Sequence, residues 1–182
     1  MGGWGSSAPY TQNAANFYQW LPSDAGVFWK YVGFALTATV IVAAVVVVLR
    51  YRRVMSRASL VVLGAALLVA IPFLLPSMHE RYFYLADALL IVGAFYRPRL
   101  APFAVLAQLC SLAAYAPFLW STTPVPLALA AVGEAVVLAG AIWVAATSIR
   151  DDLRTAQAQV PPTAADTTPG ADRQVSAGRL AR

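Results

Sequence analysis

Five runs of apolar residues, separated by short polar connections, organise this chain. The first lies near Phe28 to Leu49, contains the β-branched block Val40 to Val48, and carries no charge after Lys30. A shorter block of that kind would read as a buried strand. A run of this length, close to the roughly 20 residues needed to cross hydrocarbon, reads instead as a spanning helix. The second run lies near Ala58 to Pro76, where Pro72 and Pro76 are expected to kink or end the helix. The third, Tyr82 to Tyr96, is short, and its helix is expected to begin inside the preceding turn. The fourth is Ala101 to Trp120, with Pro117 near its end, and the fifth is Val125 to Ile149, opened by Pro124 and Pro126. The fold class that follows is all-α: a polytopic transmembrane bundle of about five spanning helices. Small residues at Gly33, Gly64, Gly93 and Gly140 permit close helix contacts without naming the partners.

The connections carry the charge. Arg50, Arg52, Arg53 and Arg57 lie between the first and second helices, Arg97 and Arg99 between the third and fourth, and Arg150 and Arg154 follow the fifth. The alternate connections hold only Lys30, at a helix edge, and Arg81. Lys and Arg concentrate on the cytoplasmic side of membrane proteins, so this register places the three arginine clusters in the cytoplasm of a plasma-membrane protein. Residues 1–26, the Met78–Arg81 turn and the Ser121–Thr123 turn then lie outside. The segment 1–26 lacks the basic and apolar regions of a signal peptide. The expected organisation is an outer-face segment at 1–26, a five-helix region at 27–154, and a disordered cytoplasmic tail at 155–182. That tail is rich in Ala, Gln, Pro, Thr, Asp and Gly and has too little apolar surface to offset ordering entropy.

Composition sharpens the exclusions. Hydrophobic residues make up 60% of the chain and charged residues 12%, against roughly 45–50% and about 25% in soluble domains. The formal net charge of +5 comes from arginine clusters between apolar runs. That distribution is a topology signal and not a phosphate-binding stripe, so no nucleic-acid partner is expected. Cys110 is the only cysteine and sits in an apolar run, where it reads as a small packed hydrophobe. No metal spacing, Walker loop, nucleophile elbow, HExxH pair or dinucleotide-binding glycine pattern is present. No metal and no cofactor is expected.

Polar residues that the apolar pattern does not explain fall into three groups. The turn after the second helix packs His79, the only histidine, beside Glu80 and Arg81. If the helix continues through it, Glu80, Tyr84 and Asp87 share one stripe, with Asp87 about 9 Å along the axis from the turn. Inside the apolar runs lie Asp87, Gln108 and Glu134. Ionisable groups at such depth are costly and face a cavity or a partner; for Glu134 an interhelical hydrogen bond in the protonated form is the plain alternative. The third group is the aromatic and amide segment Tyr10 to Pro22, in which Asn13, Asn16, Tyr18 and Trp20 read either as an interfacial anchor or as a surface for a sugar or lipid headgroup.

The stretch Met78-His79-Glu80-Arg81-Tyr82-Phe83-Tyr84-Leu85-Ala86-Asp87, followed by an apolar helix and Phe95-Tyr96-Arg97-Pro98-Arg99, resembles the late outer turn of bacterial membrane glycosyltransferases of the GT-C superfamily. The group it resembles most is the mannosyltransferases related to the enzyme that adds the second mannose to GPI anchors. Asn13-Ala14-Ala15-Asn16-Phe17-Tyr18-Gln19-Trp20-Leu21-Pro22 resembles an outer loop of that family upstream of the same turn. The resemblance covers roughly residues 10–150. It implies a mannosyl or other hexosyl transferase that uses a polyprenyl-phosphate sugar donor on the outer face, with membrane lipid as its other partner. It also implies that His79 and Arg81 recognise the lipid phosphate, with Glu80 in support. In that family the catalytic base lies in an outer loop after the first membrane helix, and the whole enzyme has about twice as many helices. The first outer segment here offers only Asp24, whose surroundings do not match that motif, so the catalytic residue is unassigned. The chain is then expected to be the C-terminal half of such an enzyme, partnered by an N-terminal half that carries the base. Two other readings stand beside it. One is a non-enzymatic membrane subunit or transporter component with a polar path through Asp87, Gln108 and Glu134. The other is a remnant without activity of its own.

Overall fold

A computed structural model describes residues 11–12, 14–22, 26–122 and 124–159. The fold is an all-α bundle. Its helices are α1 (Phe28–Tyr51), α2 (Arg57–Leu74), α3 (Tyr84–Tyr96), α4 (Ala101–Trp120) and α5 (Leu127–Ala158). Short 3₁₀ turns at Phe17–Trp20, Glu80–Phe83 and Pro98–Leu100 precede α1, α3 and α4. Four segments are long and apolar enough to cross a membrane: α1, α2, Pro98–Trp120 and α5. The fifth helix of the expected bundle, α3, has only 13 residues. Taken with its 3₁₀ turn it extends about 27 Å, close to the thickness of the hydrocarbon.

Each helix packs on the next in sequence, and α2 also packs on α5, so α2 to α5 form a closed group. Its centre is Val62, Ala65, Ala66 and Val69 of α2, Ala86 and Leu90 of α3, Ala104 and Ala107 of α4, and Val137, Ala141 and Val144 of α5. The predominance of alanine and valine lets the helices approach closely where lipid supplies no hydrophobic drive between them. At Gly133 and Gly140 of α5, the Cys110 sulfur and the Phe103 ring of α4 occupy the space a methyl group would need. Helix α1 stands at the edge. It packs on α2, and only Gly33 and Thr37 of its residues are buried. Its other faces are apolar and open, as suits a helix surrounded by lipid.

The two ends of the bundle differ. At one end Asp152 of α5 accepts hydrogen bonds from the Ser56 amide (2.8 Å) and the Ser59 hydroxyl (2.6 Å) and pairs with Arg97 at 3.5 Å. Ser56 also caps α2 by accepting from the Ser59 amide. The arginine-bearing connections therefore share one end, here called the arginine end. Pro72 lies inside α2 and Pro117 inside α4; neither ends its helix at once. Helix α5 runs on through Ala158, so residues 155–158, expected to open the disordered tail, are helical. The rest of that tail from residue 160, together with residues 1–10, Asn13 and Asp24, lies outside the described residues.

Candidate functional site

The opposite end, here the histidine end, is where the N-terminal segment meets the turn after α2. Leu74 closes α2, and Ser77 takes a left-handed conformation (φ 58°) that reverses the chain. Met78–His79 then runs extended and pairs in parallel with Thr11–Gln12, in the register Thr11 to Met78 and Gln12 to His79. The pairing brings two segments some 67 residues apart in sequence, 11–22 and 78–87, to one place. His79 is half-buried, with its ring centroid 6.1 Å from that of Tyr82, and Arg81 is exposed. Glu80 opens the 3₁₀ turn.

That turn changes the stripe expected from a continuous helix. Residues 80–83 are wound as 3₁₀ and the α-helix starts at Tyr84, so the inward face is Phe83, Ala86, Asp87, Leu90 and Gly93. Tyr84 points outward and stacks on Tyr115, with centroids 5.3 Å apart and planes 3° from parallel. Asp87 therefore does not continue a surface column through Tyr84. It enters the core.

Inside the bundle Asp87 is 6% exposed and Glu134 2%. One Asp87 oxygen accepts from the Ser111 hydroxyl at 2.6 Å. The other, Oδ1, and Glu134 Oε2 are buried with no hydrogen-bond partner. The Cys110 sulfur, next to Ser111 on α4, packs at Gly133, the residue before Glu134. Gln108, expected in the same path, is elsewhere. It is exposed on α4 and lines an apolar groove with Ile91, Ala94, Phe95, Ala104 and Val105. The groups found beside the two acids are Ser111, bonded to Asp87, and Cys110, packed at Gly133. A serine and a cysteine in an apolar helix carry no sequence signal that would have singled them out.

The aromatic and amide segment is also more buried than a recognition surface would be. Asn16 is fully buried and its Oδ1 accepts from the Tyr18 amide at 3.2 Å, capping the first 3₁₀ turn. Tyr18 is buried, and its hydroxyl donates to the carbonyls of Leu74 (3.1 Å) and Trp29 (3.3 Å). Burial pushes its phenol up to about 12. Trp20 keeps an exposed ring but donates its indole N–H to the Ala128 carbonyl at 3.1 Å and packs edge-on to Phe73. Asn16 and Tyr18 thus plug the end of the bundle and tie α1, α2 and the N-terminal segment together. Of the residues expected to form a substrate surface, Trp20 alone presents one; Asn13 lies outside the described residues.

No family model matches the chain, and neither a curated protein nor a solved structure matches it. Among the described residues no group of His, Cys, Asp and Glu is arranged to hold a metal ion. What the histidine end offers chemically is an imidazole and an exposed guanidinium on one short turn, set at the end of an apolar bundle. A guanidinium there suits a lipid-borne anion such as a phosphate, which it can bind through two parallel N–H donors.

Proposed function

We propose that this chain is the membrane part of a glycosyltransferase that takes a hexose, mannose by resemblance, from a polyprenyl-phosphate carrier at the outer face of the plasma membrane. His79 and Arg81 hold the carrier phosphate, and Glu80 supports them. The catalytic base and the acceptor site belong to an N-terminal partner half.

One observation carries this reading. The two segments on which the GT-C resemblance rests, 13–22 and 78–87, meet at the same end of the bundle, beside the Thr11–Gln12 and Met78–His79 pairing. The alternation of arginine-rich and arginine-poor connections supports an outer-face position for that end. A leaving phosphate at headgroup height is stabilised by fixed donors aimed at it, and Arg81 and His79 are of the right types.

The test is donor binding by the full chain in lipid vesicles. A polyprenyl monophosphate bearing a photoreactive diazirine is crosslinked, and the labelled peptide is mapped. A charge-assisted contact to phosphate contributes about 2 kcal/mol, or roughly thirtyfold in affinity. His79→Ala and Arg81→Ala should each weaken labelling by about that factor, while vesicle insertion and helix content stay at wild-type level. Wild-type labelling in both variants would refute the assignment. The subunit reading, with its path through Asp87 and Glu134, is favoured by the buried acids and makes a separate claim. It calls for proton-linked flux that Glu134→Gln abolishes.

A further inference from the structure

The donor-binding reading leaves the two buried acids unused. Asp87 on α3 and Glu134 on α5 are each more than nine-tenths buried. Each presents a carboxyl oxygen with no partner, Oδ1 and Oε2. Ion pairing to either is absent among the described residues, where the nearest fixed donor to Asp87 is the neutral Ser111 hydroxyl. Two carboxylates in an apolar interior without a counter-cation repel each other and lose hydration, and the stable arrangement keeps one of them neutral. A carboxyl O–H is also the group these orphan oxygens lack, because it turns one acceptor into a donor for the other.

We propose that Asp87 and Glu134 form a proton-binding pair that holds one proton in the interior of the α2 to α5 group, where Asp87 Oδ1 and Glu134 Oε2 are the oxygens free to carry it. Ser111 fixes the other Asp87 oxygen, so Oδ1 is the one left for the shared proton. The remaining titratable groups on the packed elements leave the pair its own ligand. On α4 these are Cys110, whose sulfur packs at Gly133, and Tyr115, stacked on outward-facing Tyr84. On α2 the only one is Arg57, at the arginine end, and on α5 the others are Arg150, Asp151, Asp152 and Arg154 at that same end. In the turn before α3, Arg81 is exposed. Asp87 is the fourth residue of α3 and Glu134 the eighth of α5, so the pair lies within about 10 Å of the helix starts and exchanges its proton from the histidine end.

The full chain in lipid vesicles provides the test. Infrared difference spectra over a pH titration should show one protonated carboxyl at neutral pH, lost in a single step as pH rises. Dicyclohexylcarbodiimide, which modifies protonated carboxyls in apolar surroundings, should label residue 87 or 134 at neutral pH. In Asp87→Asn and Glu134→Gln the amide takes the place of the protonated partner, so the remaining acid ionises and its labelling should fall about tenfold or more. Thermal unfolding of both variants shows that each is folded. Three results would overturn the proposal: no protonated carboxyl in the wild-type spectrum at neutral pH, undiminished labelling of the remaining acid in both variants, or protection from labelling by sodium at constant ionic strength, which would make the site one for a metal cation.

Discussion

Gly33 of α1 is the position where the packing makes its sharpest demand. A Cβ placed there would overlap the Tyr18 hydroxyl and lie 2.7 Å from the Leu74 carbonyl oxygen and 3.0 Å from the Tyr18 Cζ. Gly33→Ala therefore has to displace the Tyr18 ring and part α1 from the end of α2. Overpacking of this kind costs about 1–3 kcal/mol. Moving the hydroxyl also breaks its bonds to Leu74 and Trp29 and strands a buried polar group, a further ~1–2 kcal/mol. The expected total is about 2–5 kcal/mol, large against the stability of a small domain. Tyr18→Phe removes the hydroxyl alone and should cost about 1–2 kcal/mol, since the Leu74 carbonyl loses its donor. In that background the clash with the hydroxyl is gone but the one with Leu74 remains. Gly33→Ala should then cost about 1–2 kcal/mol less than it does in the wild type. Reversible unfolding in mixed micelles, run on the four members of this cycle, measures the coupling. A Gly33→Ala variant as stable as wild type, or the same penalty in both backgrounds, would refute the claim that Tyr18 seats against Gly33.

At the arginine end, Asp152→Ala removes the acceptor for Ser56 and Ser59 and the counter-charge for Arg97. It should cost about 3 kcal/mol and speed hydrogen exchange at the first turn of α2, whereas Asp152→Asn should cost about half as much; unchanged exchange there would show that the cluster does not hold the helices. The phenol of Tyr18 adds a pH dependence. Its ordinary value of 10.0 is raised to about 12 by burial, so the folded chain holds this proton more tightly than the unfolded one. The stability that difference supplies is fully present below pH 10.0 and is lost as pH climbs to about 12. The advantage of wild type over Tyr18→Phe should shrink across that window, and a gap independent of pH would contradict the burial of the hydroxyl.

The apolar pattern made most of the fold legible. The bounds of α4, Ala101 to Trp120, follow from its length and polar flanks, whereas in the turn before the short third helix only 3₁₀ winding begins, at Glu80, and α3 itself starts at Tyr84. Side-chain direction around that turn was less accessible. A 3₁₀ segment advances about 120° per residue where an α-helix advances about 100°, so four residues of it turn the whole of α3 by about 80° from the phase a continuous α-helix would give, and the boundary between open and buried faces falls between Tyr84 and Asp87. Long-range partners were invisible for the same reason that membrane helices pack through small residues: Gly33, Gly133 and Gly140 permit contact and leave its partner to the tertiary structure. The aromatic and amide run at 14–20 has the composition of an interface, but composition does not tell a plug from a surface. What decides is that Asn16 caps its own turn and the Tyr18 hydroxyl reaches the open carbonyl end of α2. Asp152 could have been anticipated in part, because Ser56 followed by Ser59 marks a helix start with free donors.

The outer-face donor site depends on which side of the membrane His79 occupies. In a Cys110→Ala background, single cysteines at position 79 and at position 52 are tested in intact cells with a membrane-impermeant maleimide, before and after permeabilisation. Residue 79 should be labelled in intact cells and residue 52 only once the membrane is opened. Labelling of both residues under the same condition would put the two ends of α2 in one compartment and contradict both the crossing and the outer-face donor site built on it.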